Sequence, residues 1–165
     1  MTPSRPGDVA AAVEARFTSR LHEPRTAAVL GAALGVSFGL CFVTGLYSHV
    51  LQHPISWLPV PTRPAGLYRI TQGVHVLTGI ASIPILLAKL WVVSPKLWAW
   101  PPARSVVEAL ERLMLLPLVG GGLFLVVSGV ANVARWYPYP FYFTVAHYQV
   151  AWVTIGAMVV HLGVK

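Results

Sequence analysis

The sequence predicts an all-α protein, a four-helix bundle that crosses a membrane. Three observations predict it. Of 165 residues, 56% are hydrophobic and 10% charged, against about 25% charged in a soluble domain. Apolar runs recur four times, at about residues 27–47, 67–92, 113–133 and 144–165, and ~20 helical residues at ~1.5 Å each cross the ~30 Å of hydrocarbon. The segments between the runs hold prolines, tryptophans and basic residues, which belong at helix ends and membrane surfaces. One membrane domain, residues 27–165, thus follows a polar tail, residues 1–26.

The formal charge of +7 and pI near 10.1 do not indicate nucleic acid, because the basic residues sit in short segments between apolar spans. There they orient the protein. Arg5, Arg16, Arg20, Arg25, Lys89, Lys96, Arg104, Arg112 and Lys165 fall on one side, and Arg63, Arg69 and Arg135 on the other. The basic-rich side faces the cytoplasm, so both termini are expected there. The tail has no short apolar core with a small-residue cleavage site, so it reads as a cytoplasmic tail and not a signal peptide. The single cysteine, Cys41, excludes an internal disulfide and a cysteine-ligated iron–sulfur cluster, and no CxxCH exists for covalent haem. No acidic residue lies within a span, which weakens a transporter reading.

In span 1, Gly31, Gly35 and Gly39 recur every four residues, a ridge against which another helix or a flat macrocycle can pack. The next segment, Ser48 to Gly66, holds four prolines and is expected to be irregular. Its Trp57 suits the interface, while His49 and His53 are open to three roles: surface residues, ligands, or contacts for a partner. Span 2 carries His75 about two turns in, Pro84, where a kink is expected, and Lys89, read as snorkelling to the interface or meeting a haem propionate. Trp98 and Trp100 fit an interfacial belt, and ARSVVEALER reads as the polar start of helix 3. Span 3 contains Gly120, Gly121 and Gly122, which leave room for a bulky neighbour. An aromatic loop leads to span 4, where the chain closes at Lys165, as expected of a piece of a larger polypeptide or fusion.

Span 4 carries the main functional signal. His147 and His161 are fourteen positions apart, about 40° short of four full turns, and so point the same way about 21 Å apart along the axis. Ionisable residues in a span are costly and indicate function. Two on one face, near opposite leaflets, point to two stacked haems. The plainer possibility is that each histidine bonds a neighbouring helix. Haem of this kind takes one imidazole from each side, and His75 lies at the depth of His147 on span 2. His75 and His147 are therefore the expected outer pair, with a second-shell role or an interhelical bond as alternatives for His75.

The segments FVTGLYSHVLQHP, LYRITQGVHVLTG, LVVSGVANVARWYP and AHYQVAWVTIGAMVVHLGVK resemble the membrane cytochrome b subunits that anchor periplasmic dehydrogenases, such as the formate dehydrogenase gamma subunit, within the prokaryotic cytochrome b561-like superfamily. They look closest to the cytochrome b-like domain fused or paired with sulfite-oxidase-type molybdopterin oxidoreductases in bacteria. The resemblance implies a bacterial cytoplasmic-membrane protein with two haem b groups, ligated through His75, His147 and His161. It also implies an inner-haem ligand in span 1, where this chain has Gly31, which cannot ligate.

The nearest substitutes are His22 in the tail and Lys89 in span 2; His49, near the outer face, is a less certain haem-ligand candidate. Free lysine is protonated at neutral pH and free imidazole mostly is not, so His22 is the expected partner of His161. Its cost is geometric, since helix 1 must then extend downward through Pro24, which a first helical turn tolerates. The function expected is electron transfer between the quinone pool and an outer-face redox protein, with no catalytic site of its own. A structural anchor or assembly subunit without haem is the alternative.

Overall fold

The structure, a computed structural model, describes residues 22–97 and 105–163, together with Gly7, Asp8 and Ala12. The rest of the N-terminal tail, the Trp98–Trp100 pair, Arg104 and Lys165 lie outside the described residues. The fold is an all-α four-helix transmembrane bundle. Its helices are α1 (Pro24–Gln52), α2 (Leu67–Leu97), α3 (Val106–Val133) and α4 (Phe143–Gly163). All four are long and apolar enough to cross a membrane.

The helix limits follow from local chemistry. Pro24 opens α1 at the first-turn position, where its missing N–H costs nothing. At the other end α1 runs five residues, about one and a half turns, beyond the expected boundary at Tyr47. Ser48–Gln52, expected to be irregular, are helical. The reason is that all four prolines of the segment, Pro54, Pro59, Pro61 and Pro64, come after Gln52. Gln52 Nε2 donates to Ser48 Oγ and to Tyr68 of α2, each at 3.2 Å, and Tyr47 donates to the Pro61 carbonyl at 2.8 Å, so the loop is tied to the helix ends. Helix α3 begins at Val106, within the polar stretch expected to start it. Ser105 caps it by accepting from the Glu108 amide at 3.1 Å, and an acidic first-turn residue suits the positive helix end.

Helix α1 packs along α2 and α3 along α4, with smaller contacts between the two hairpins. Ala27 meets Lys89 and Thr44 meets His75, so α1 and α2 are antiparallel. Ser128 meets His147 and Gly121 meets Thr154, so α3 and α4 are too. Both hairpin loops, residues 53–66 and 134–142, therefore lie at one end of the bundle, here the loop end.

The distribution of side chains is that of a protein in lipid. Its most deeply buried residues include the hydroxyls Ser82 (0% exposed), Ser128 (2%) and Thr154 (3%). Large apolar residues such as Val36, Val43 and Leu77 lie outward, each more than 60% exposed. Small and hydroxyl residues let membrane helices approach closely, and lipid solvates the large ones. Gly121 shows why: a Cβ there would collide with Thr154 Oγ1, and one at Gly122 would sit 3.5 Å from Phe38 of α1. Gly122 thus has the bulky neighbour expected of the glycine triplet. The span 1 ridge is used differently from expectation, since Gly35 and Gly39 meet nothing within 4 Å and Gly31 meets the Lys89 ammonium group.

Candidate functional site

Two turns into α2, His75 turns its ring toward α1. Its Nδ1 lies 2.9 Å from the Cys41 carbonyl and 3.2 Å from Thr44 Oγ1. A carbonyl oxygen only accepts, so in the neutral ring the hydrogen is on Nδ1 and the lone pair on Nε2. One turn into α4, His147 has its Nδ1 2.9 Å from Ser128 Oγ. Ser128 has a single hydrogen, and Phe124 O, at 2.7 Å, takes it. With that hydrogen on the carbonyl, the serine oxygen accepts from His147 Nδ1–H, and the neutral ring then has its lone pair on Nε2. Both histidines are thus held in the same tautomer by hydroxyl or carbonyl groups of the neighbouring helix, as metal-ligating histidines usually are.

Sequence and structure agree on bringing these two together. Their ring centroids are 6.1 Å apart and their planes cross at 61°. A metal between two imidazoles, with each Nε2 at about 2.0–2.1 Å, places the ring centres about 6.3 Å apart. The spacing fits a metal ligated from both sides. Among the described residues no group of three His, Cys, Asp or Glu could hold a bare ion. Two opposed imidazoles instead suit a metal whose other four ligands lie in a macrocycle.

The pair lines a cavity of ≈ 290 Å³ to which all four helices contribute, near the lower end of the range for small-molecule sites. Its walls change character with depth. Toward the loop end most lining residues are polar, as Ser48, His49, Gln52, Gln72, Asn132 and Thr144 show, and away from it most are apolar, as Phe38, Ile80, Leu125, Ile155 and Met158 show, with the hydroxyls of Ser82 and Thr154 among them. A flat ligand with acidic groups along one edge and an apolar remainder matches this division. A glycine lies beside each histidine ring, and at Gly45 it permits a close approach. A Cβ at Gly45 would lie 3.1 Å from His75 Cε1, and one at Gly129 would lie 3.6 Å from His147 Cε1.

No family model, curated protein or solved structure matches the chain. What the site can do is therefore read from its own geometry.

The other candidates lie elsewhere. His49 stacks on Tyr148 at 3.8 Å and stands 4.7 Å from His53. It forms part of the cavity wall, while His53 and Trp57 are exposed at the loop end. None of His22, Lys89 and His161 lines the cavity. His22 Nδ1 is 3.0 Å from the Val92 carbonyl, and its ring is 6.0 Å from Trp91. Lys89 donates to the Ala27 carbonyl. His161 occupies the last turn of α4 and is half-buried.

Reading the sequence alone missed Thr44, Gly45, Ser128 and Gly129. A signal was present, since a hydroxyl residue followed by glycine occurs in span 1 as FVTGLY and in span 3 as VVSGVA.

Proposed function

We propose that this chain is a membrane electron-transfer subunit that holds haem b between His75 and His147. It would pass electrons between the quinone pool and a redox enzyme on the outer face. The observation that carries this reading is the pair of imidazoles from two hairpins, each with Nδ1 engaged by the neighbouring helix and with ring centres 6.1 Å apart. When bound, a haem held by His75 and His147 would supply one-electron transfer. The protein's own residues do the rest. Cys41 O and Ser128 Oγ keep the two Nδ1–H tautomers, the mainly apolar deep walls would limit water, and the polar residues at the loop end would hold the acidic groups of the ligand.

The excess of basic residues at the opposite end favours the cytoplasm there, which puts the loop end and this haem on the outer side of a bacterial cytoplasmic membrane. Resemblance to cytochrome b subunits makes a molybdopterin oxidoreductase the suggested partner. A second haem belongs at His161, with His22 ahead of Lys89 as its other ligand. The Val92 carbonyl favours a hydrogen on His22 Nδ1, the ring nitrogen that faces α2. The Ala27 carbonyl instead engages the hydrogens of Lys89.

The test is a reduced-minus-oxidised spectrum of the detergent-purified protein, with a short-chain quinol as reductant. A sharp b-type α band that develops with quinol supports electron transfer. Absence of any haem band favours a structural anchor.

A further inference from the structure

The two hairpins build the same half-site. In the first, Thr44 stands eight residues before Gln52, the end of α1, and His75 eight after Leu67, the start of α2. In the second, Ser128 stands five residues before Val133 and His147 four after Phe143. Each hydroxyl therefore meets its histidine across an antiparallel hairpin at nearly equal distance from the loop. Each hydroxyl also donates to the carbonyl four residues back, Thr44 to Leu40 at 2.6 Å and Ser128 to Phe124 at 2.7 Å. That leaves an oxygen lone pair aimed at the ring. In each hairpin the following residue is the glycine against which that ring lies.

We infer that Thr44–Gly45 and Ser128–Gly129 are paired positioning elements that set the rotation and tautomer of the two haem ligands, and that they do so unequally. The inference rests on His75 and His147 being those ligands. His75 Nδ1 has a backbone carbonyl at 2.9 Å and Thr44 as the longer contact at 3.2 Å. His147 Nδ1 has Ser128 Oγ at 2.9 Å as its one hydrogen-bond partner among the described residues. Ser128 thus controls its ring and Thr44 only assists. The glycines are unequal in the opposite sense. At 3.1 Å a Cβ on residue 45 forces the His75 ring to move, whereas 3.6 Å at residue 129 is ordinary contact.

The experiment has two arms. In the first, haem titration of Ser128→Ala, Thr44→Val, Gly45→Ala and Gly129→Ala measures dissociation constants, and low-temperature electron paramagnetic resonance reads ligand geometry. Removing a partner behind a metal ligand costs 10–100-fold in affinity. Ser128→Ala is expected to weaken binding about 10-fold and shift the low-spin signal, and Thr44→Val less than about 3-fold. Ser128→Thr should restore both readouts. Gly45→Ala should perturb the signal more than Gly129→Ala. Equal behaviour of Ser128→Ala and wild type in affinity and signal overturns the inference.

The second arm needs no haem. Nitrogen-15 NMR of histidine-labelled protein reads the tautomer of His147 directly. The wild type should carry the hydrogen on Nδ1, and Ser128→Ala should populate the Nε2–H form. An unchanged tautomer in Ser128→Ala contradicts the inference even if haem binds. Wild-type protein that never binds haem contradicts the proposed function instead, and the NMR result still decides the role of Ser128.

Discussion

At the loop end, His75 and His147 come from different hairpins and face each other across a cavity lined by all four helices. At the opposite end, His22 and Lys89 each bond a backbone carbonyl within the first hairpin, at Val92 and Ala27, while His161 stands on the second. Both ends carry candidate ligands, yet they differ in how those groups are gathered. A two-sided ligand pair needs one group from each hairpin, held from behind by a partner that leaves the other nitrogen bare. The loop end has that arrangement on both sides. The difference teaches that depth and helical phase nominate ligands, whereas the meeting of the hairpins selects them.

The largest effect is expected at the loop end. His75→Ala or His147→Ala should remove essentially all of the haem held there, with helix content by circular dichroism unchanged. The double variant should lose no more, because one imidazole cannot hold the ring from both sides. Full haem content in both single variants would overturn the assignment. At the opposite end, His161→Ala and His22→Ala should each remove a second haem, and Lys89→Ala should leave it bound. Loss in the lysine variant alone would transfer the ligand role to Lys89. A wild-type content of one haem per chain would leave His161 without one and make the contrast between the ends absolute.

Much of this was legible in the sequence for a physical reason. Membrane thickness imposes a minimum length on each apolar run, and the four helices contain nearly all of the expected spans. An ionisable side chain in such a run costs enough to stand out, which is why His75 and His147 were visible. The end of α1 was not, because prolines crowd residues 54–64 and conceal that the five residues before them have none. Thr44 and Ser128 were hidden for another reason. A serine or threonine inside a helix satisfies its hydrogen on the carbonyl four residues back, so it carries no visible cost, and its second role depends on which ring the fold sets beside it. Gly45 and Gly129 are equally hard to distinguish among fourteen glycines.

Smaller effects concern the hairpins themselves. Gly121→Ala places a methyl group on Thr154 Oγ1, a buried residue, and should destabilise the second hairpin by about 1–3 kcal/mol, the usual cost of overpacking. Denaturant unfolding in detergent micelles checks it, and Thr154→Gly in the same chain should recover part of the loss. An unchanged midpoint would mean that α3 and α4 tolerate a wider spacing at this depth. Gly35→Ala on α1, where nothing lies within 4 Å, should be neutral or stabilise by up to about 1 kcal/mol, the helix preference of alanine over glycine. Destabilisation there would reveal a neighbour of the first helix outside this chain.

The most direct test of the central claim is electron paramagnetic resonance of the oxidised, haem-loaded protein, with His147→Ala as its control. Two imidazoles on one iron predict a low-spin ferric signal whose loop-end component is lost in the variant. A high-spin signal in the wild type, or a low-spin signal that survives unchanged in the variant, would contradict it.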